Sequence, residues 1–381
     1  MKNATLVSNA TNAGSVSDAD LRALLGRAKW SFSTRRVDRQ QARRLDGAVQ
    51  KAMVGDLILC EIEKVGQHAR TQLAEGRYSE HYPGDLVVLA CGARYAPDQF
   101  EGVAEIRPDG ADMLAAGGIV GHMRRANGQM SKPTRLKPLG RLLDAANGAL
   151  NVAQFAVRPK ESARRIPTFI VVGSSMNAGK TTTAASFVHG LARAGYRVAG
   201  MKATGTGAFG DYNAFSDAGA SIVADFTDFG LPSTYLQPLH KLEAIFKDMT
   251  AYAAQSEADV AVIEFADGVF QEETRRLLSS SVIQQANDGV LYAAADASGA
   301  ILGVRELRDL GFKLLAVSGK VTISPLAMLE ARNGAGASFV SREDLRSAAT
   351  ASGLLSGLGS LPEIGVSIRR GARRANAAAA A

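Results

Sequence analysis

The run Gly173-Ser174-Ser175-Met176-Asn177-Ala178-Gly179-Lys180-Thr181-Thr182-Thr183 holds the residue types that grip a polyphosphate. It follows the apolar run Phe169-Ile170-Val171-Val172 and opens a segment of helical character that ends at Gly195. A loop so placed turns its backbone N–H groups inward, and the start of the following helix adds partial positive charge. Lys180 supplies a point charge for the β- and γ-phosphates, and the Thr181 hydroxyl is suited to Mg²⁺. Residues Gly173, Ser174, Ser175, Met176, Asn177, Ala178, Gly179 and Thr182 form the cradle. The strict pattern has glycine five residues before Gly179; that position is Ser174, and the glycine stands one residue earlier, at Gly173.

Phosphoryl chemistry also needs acids for the metal and cations for the transferring group. An acid at the end of a neighbouring strand is the natural second metal ligand, and Glu264 closes Val260-Ala261-Val262-Ile263. Asp267 is the second choice. Lys202 ends another strand, where a cation stabilises charge on a phosphoryl group or a substrate carboxylate. Thr204 and Thr206 offer hydroxyls, and Gly205 and Gly207 permit close backbone approach, so this loop is the candidate substrate contact. Catalysis is therefore assigned to Lys180, Lys202 and Glu264. The histidines, His68, His81, His122, His189 and His240, form no i, i+4 metal pair. No Gly-x-Ser-x-Gly nucleophile elbow occurs.

These residues need a scaffold that brings strand ends together. Short apolar strands at 169–172, 197–201, 258–263, 289–293 and 312–317 alternate with helical stretches such as 179–194, 241–254, 305–310 and 341–351. That alternation predicts an α/β domain over 166–366, with a parallel sheet covered on both faces. Residues 54–160 read differently. Gly55-Asp56-Leu57-Ile58-Leu59-Cys60 and Gly84-Asp85-Leu86-Val87-Val88-Leu89 are turn-then-strand patterns, which predicts a smaller, mainly β, barrel-like domain. The loop Arg94–Phe100 and the glycines Gly117, Gly118 and Gly121 are turns or functional loops of that domain. Residues 1–53 are predicted as an N-terminal helical segment, with one helix capped by Ser17 and Asp20 and a second over 38–53. Residues 367–381 form a basic and Ala-rich tail.

A glycine six residues before Gly-Lys-Thr, together with Lys202, resembles the dethiobiotin synthetases. The stretch Lys202-Ala203-Thr204-Gly205-Thr206-Gly207, with Ser221–Phe226 downstream, also resembles the D-glutamate N-acetyltransferases. Both belong to the wide P-loop class that includes nitrogenase iron protein and the cobyric acid synthases, and the resemblance covers about residues 167–335. It implies that Glu264 helps to hold Mg²⁺ and that Asp211 is a third ligand beside Thr181, with Asp217 its competitor. It also implies base contact near Ser318-Gly319-Lys320. With no Asn-Lys-x-Asp guanine signature, ATP is expected over GTP.

Composition narrows the function classes. The chain has 381 residues and a net charge of +7. Residues 1–165 carry 25 Lys and Arg against 17 Asp and Glu, whereas residues 166–366 carry 15 against 20. The surplus of positive charge thus lies in the first part, where it suits a macromolecular partner or an anion. No apolar run is long enough to span a membrane, and the two cysteines, Cys60 and Cys91, fit a reducing compartment, so a cytoplasmic protein is expected. The leading reading is an ATP- and Mg²⁺-dependent, ligase- or kinase-like enzyme that activates a small carboxylate or amino acid, expected as a homo-oligomer. The alternatives are a nucleotide-dependent switch or maturation factor with a macromolecular partner, and an amino-acid N-acyltransferase.

Overall fold

The computed structural model describes residues 17–160 and 164–357. The first sixteen residues and the tail over 367–381 lie outside them.

Among the described residues, the first half has the α-helix α1 (Asp18–Arg27), whose start is capped by Ser17 accepting from the Asp20 N–H at 3.1 Å. Its strands are β1 (Lys29–Trp30), β2 (Arg44–Asp46), β3 (Leu57–Lys64), β4 (Arg70–Gln72), β5 (Tyr78–Glu80), β6 (Leu86–Cys91), β7 (Arg94–Tyr95), β8 (Phe100–Val103), β9 (Ala111–Ala115), β10 (Ile119–Ala126) and β11 (Thr134–Leu143). Strand β6 pairs with β3 on one side and β10 on the other, and the path β6–β3–β11–β9–β10 returns to β6. Every residue of β6 is buried, because its two faces lie on two separate apolar clusters. That is why Leu86–Cys91 is apolar throughout instead of alternating.

The helix expected over 38–53 does not form. Asp38 caps only a single 3₁₀ turn, Arg39–Gln41, accepting from the Gln40 N–H at 3.0 Å. The chain then extends as β2 to pair with Arg141–Leu143 of β11, and a second short turn spans Val49–Lys51. Only Ala42 and Val49 are buried apolar residues in this stretch, so no helical stripe exists to stabilise a longer helix.

The second half begins with β12 (Thr168–Gly173) and continues α2 (Lys180–Arg193), β13 (Val198–Lys202), α3 (Phe209–Asp217), β14 (Ile222–Asp225), α4 (Leu239–Gln255), β15 (Val260–Glu264), α5 (Glu272–Leu278), α6 (Ser281–Ala286), β16 (Gly289–Ala293), α7 (Ala297–Asp309), β17 (Leu314–Ser318), α8 (Pro325–Ala335), α9 (Arg342–Leu345) and α10 (Ala348–Ser356). The six strands are parallel in the order β14-β13-β15-β12-β16-β17. Strands β12, β13, β15 and β16 are buried at every position, which explains their unbroken apolar runs. Helix α2 buries Ala184, Phe187, Val188 and Leu191 on one face of the sheet, with Phe187 edge-on to Phe169 at 5.6 Å. Two helices differ from expectation. Helix α7 starts at Ala297 instead of 305, because Asp296 caps it by accepting from the Gly299 N–H at 2.7 Å. The stretch over 341–351 is split into α9 and α10 by a second cap position at Ser347.

Chain order reverses around β12: β13 and β14 lie to one side, β16 and β17 to the other. Crevices at such points, at the carboxyl ends of parallel strands, are where α/β sheets bind ligands. The β-rich half packs there too. Arg35 places its guanidinium between Asp225 at 3.0 Å and Asp228 at 2.5 Å, and Tyr235 donates to Glu101 at 3.1 Å.

Candidate functional site

The loop from β12 into α2 is shaped by two backbone requirements. Gly179 adopts φ +101°, and no described side chain caps the helix start that follows. The first-turn N–H groups of α2 are thereby left for an anion at the loop's mouth. Gly173 is the last residue of β12, and a Cβ there would sit 2.7 Å from Lys180 Cγ. The aliphatic stem of Lys180 crosses over it, so the glycine is needed here and not one residue later. Ser174 takes the position where the strict pattern has glycine, and its hydroxyl accepts from the Ala295 N–H at 3.0 Å. Met176, Asn177 and Thr182 line the cleft with Gly179, Lys180 and Thr181, whereas Ala178 is buried and its carbonyl accepts from the Lys320 N–H at 3.0 Å. Ser318-Gly319-Lys320 therefore braces the loop from behind, and Lys320 reaches the cleft wall.

The sheet register assembles the acids. Glu264 stands opposite Lys202 on β13 and Val171 on β12. The Thr181 hydroxyl lies 2.8 Å from Asp211 Oδ1 and 3.1 Å from Glu264 Oε1, and Lys202 is ion-paired with Asp211. Lys180 Nζ donates to the Ser175 carbonyl at 2.9 Å. Asp211 lies in the first turn of α3, and Asp217 ends that helix without reaching the cleft. Asp267 lines the cleft between Glu264 and the β-rich half but makes no hydrogen bond to Thr181. The cleft encloses about 390 Å³.

Burial and charge act on each group differently. Burial, reinforced by the Asp211 charge, pushes the Glu264 carboxyl up to about 7. Burial alone would raise Asp211 as well, but Lys202 outweighs it and holds that carboxyl below its ordinary value. Lys202 is buried, and the attraction of Asp211 and Glu264 overrides desolvation and raises its ammonium. Lys180 is shifted downward by burial, with Glu264 and Asp267 opposing. Burial raises Asp267 despite the two lysines.

This donor set fits Mg²⁺. One hydroxyl proton on Thr181 cannot satisfy two carboxylates, and Glu264 Oε2 is buried with no hydrogen-bond partner. A hard divalent cation meets that deficit with two carboxylates and a hydroxyl, the remaining positions falling to phosphate oxygens and water. Among the described residues, no group of three or more His, Cys, Asp or Glu side chains forms a denser metal cluster.

The loop expected to touch substrate is largely committed to the protein. Thr204 donates to the Ala266 carbonyl, the Gly205 N–H donates to Thr234 Oγ1 at 2.8 Å, and the Gly207 N–H donates to the Pro232 carbonyl at 3.1 Å. Thr206 remains, on the wall of a small cavity shared with Tyr95, Tyr235 and Asp267.

Sequence reasoning missed the residues that the β-rich half brings to the cleft. Asp98, in the loop after β7, accepts from Asn177 Nδ2 at 2.5 Å. Arg94 anchors that loop, donating to Gln99 Oε1 at 2.9 Å and to His68 Nε2 at 3.2 Å. The polar and aromatic character of Arg94–Phe100 was the only local signal. His189 hydrogen-bonds through Nδ1 with the Ala218 carbonyl at 3.2 Å, and Cys60 and Cys91 are buried strand residues. Among the described residues no helix is long and apolar enough to cross a membrane.

No protein-family model matches the chain, and no curated protein is significantly similar to it. Among solved structures it is similar to the signal recognition particle 54 kDa protein from Aeropyrum pernix K1 in complex with GDP. That match has 17% identity over 52% of this chain and 50% of the other, with a TM-score of 0.34. It is also similar to the cell division protein FtsY from Thermotoga maritima, with 16% identity over 54% of this chain and 74% of the other and a TM-score of 0.34. A third is the signal recognition particle receptor FtsY from Elizabethkingia anophelis, with 17% identity over 42% and 52% of the two chains and a TM-score of 0.29. The chain spans about half the length of the first and third of these. None of the three is a dethiobiotin synthetase, and likenesses this distant assign no activity. The strand order, the Gly-Lys-Thr loop after β12 and the acid at the end of β15 are the grounds for describing the second half as an α/β unit with a P-loop.

Proposed function

We propose that the chain is a Mg²⁺-dependent nucleoside triphosphate-binding protein whose nucleotide state is coupled to the seating of its β-rich half, a nucleotide-dependent switch or maturation factor. The observation that carries the nucleotide reading is the convergence of Lys180, Lys202, Asp211 and Glu264 around the Thr181 hydroxyl. The switch reading is favoured because the β-rich half touches both walls of the cleft, Asp98 at Asn177 and Gln72 at the start of α3. The similar solved structures named above are in line with it and add no weight.

Bound Mg²⁺ would neutralise β- and γ-phosphate charge next to Thr181, Asp211 and Glu264. Lys180, whose ammonium now donates to the Ser175 carbonyl at 2.9 Å, would supply positive charge to the terminal phosphates. Lys202 keeps Asp211 ionised and aimed at Thr181. The loop N–H groups and the start of α2 fix the polyphosphate, so the chain acts mainly by positioning and fixed charge. The proposal includes a division into 1–53, a β-rich unit over 54–160 and a P-loop unit over 166–366; separate apolar clusters support the boundary between the last two, whereas Leu21, Leu24, Leu25 and Trp30 share a cluster with Leu57, Leu86 and Val88 of the β-rich unit. A cytoplasmic location is part of it, supported by two free thiols, Cys60 and Cys91.

The small-substrate, ligase- or kinase-like reading is the second proposal. Its support is the cleft of about 390 Å³ beside Lys202 and Asp267; the adjoining cavity lined by Tyr95, Thr206, Tyr235 and Asp267 has about 10 Å³, room for one water. One experiment separates the readings and the base. Nucleotide release and turnover are measured with ATP and with GTP, alone, with a small-metabolite extract and with acyl-CoA. Stimulation by a metabolite favours the enzyme, acyl consumption the N-acyltransferase. Slow basal turnover unmoved by small molecules favours the switch. Absence of nucleotide binding overturns all of them except the acyl transfer.

A further inference from the structure

We propose that Gln72 of the β-rich half is a positioning residue for Asp211, acting through α3; this rests on the proposed role of Asp211 beside Mg²⁺. Helix α3 has nine residues, and its N-cap is Ala208, which offers no side-chain acceptor. A helix this short is marginal by itself, and its first-turn N–H groups need partners from outside. One is supplied across the interface: the Phe209 N–H donates to Gln72 Oε1 at 2.7 Å, in a buried setting. Gln72 is 7% exposed, and its Nε2 faces the Tyr78 hydroxyl at 3.4 Å, which fixes the amide with its oxygen toward α3.

The rest of the first turn is clamped by the same half. The Phe209 ring lies 4.8 Å from Tyr78 and 6.2 Å from Phe32, and Tyr212 lies 5.9 Å from Phe32 and 5.2 Å from the Arg35 guanidinium. The chain entering α3 is also fixed. A Cβ at Gly117 would come 1.8 Å from the Gly207 carbonyl oxygen, so only glycine permits this approach of the two backbones. Asp211 sits between Phe209 and Tyr212 on that turn, with Thr181 on one oxygen and Lys202 on the other. Any rotation of the turn away from the β-rich half carries Asp211 off Thr181. The P-loop and Lys180 stand on β12 and α2, which the Gln72 contact does not touch, so its loss leaves polyphosphate binding in place and weakens the metal's seat.

The experiment compares wild type, Gln72→Ala and Gln72→Glu, the last retaining the acceptor oxygen. Hydrogen exchange at the Phe209 amide reads the anchor without any activity. Half-saturating Mg²⁺ for nucleotide binding, against metal-free nucleotide affinity, reads its consequence. For Gln72→Ala, exchange at Phe209 rises at least tenfold and half-saturating Mg²⁺ rises about tenfold. Metal-free nucleotide affinity stays at its wild-type value, and Gln72→Glu restores both shifted readings. Unchanged exchange in Gln72→Ala overturns the anchor whatever the nucleotide result. Raised exchange with unchanged Mg²⁺ dependence overturns the link to Asp211. A wild-type protein that binds no nucleotide overturns the proposed function, and the exchange reading then judges the anchor separately.

Discussion

Glu264→Gln is expected to make the protein more stable and less active at once. Glu264 is 2% exposed, and its carboxyl is raised from 4.5 to about 7. A raised acid means that the native state holds the proton more tightly than the unfolded chain. Its contribution is fully present below pH 4.5 and is lost as pH rises through 7. At pH 7.5 the ionised group therefore costs the native state about 3 kcal/mol, at ~1.4 kcal/mol per tenfold in proton affinity. The amide keeps an oxygen for Thr181 but brings an N–H with no acceptor, which takes back ~1 kcal/mol. The net gain of ~2 kcal/mol corresponds to a rise of ~4–8 °C in melting temperature for a domain of this size. The same change removes a negative ligand from the proposed metal set, so turnover is expected to fall on the order of a hundredfold or more. Nucleotide binding without metal should persist, because the loop and Lys180 are untouched. Calorimetric melting at pH 7.5 without metal, followed by turnover against Mg²⁺, measures both halves. A variant that melts no higher than wild type and turns over normally would refute the account of Glu264 as a buried, charge-strained ligand.

Three further outcomes are expected. Lys180→Ala should weaken nucleotide binding ~10–100-fold, the scale of a lost hydrogen bond to a charged group, measured by titration with a fluorescent nucleotide. Arg35→Ala leaves Asp225 buried without a cation and Asp228 with only Arg36 at 3.9 Å, so denaturant unfolding should show a loss of about 3 kcal/mol; an unchanged midpoint would mean that the ion pairs are dispensable. His68 and His81 are both held neutral by burial, lowered from 6.5 to about 4. Stability they contribute is present above pH 6.5 and falls away toward pH 4, by ~1.4 kcal/mol each at pH 5.5. Glu264 acts in the opposite direction over part of this range, so the quantity to measure is the difference in pH slope between wild type and His81→Leu.

The phosphate-binding loop was legible because everything it needs is contiguous in the chain: a buried strand, the Gly173 crossing, Gly179 and the Lys180–Thr181 pair at a helix start. The parallel strands were legible for a related reason, since burial on both faces forces unbroken apolar runs such as Val260–Ile263. Glu264 followed from the strand it ends. The helix expected over 38–53 failed because arginine-rich composition resembles helical composition, while the pairing of Arg44–Asp46 with β11 depends on residues about a hundred positions away. Nothing local distinguished Asp211 from Asp217 either. Both lie on α3, and the packing of that helix, Phe215 against the sheet and the first turn against the β-rich half, turns its first turn, and not its last, toward Thr181. The same holds for Gln72, Arg35 and Asp98. Each is an ordinary polar residue in sequence, and each acquires its role from a partner more than seventy residues distant. The local chain determined the chemistry that the site can carry; long-range packing decided which acid and which supports complete it, because ion pairs and hydrogen bonds between the two halves form only where the folded chain brings distant residues together.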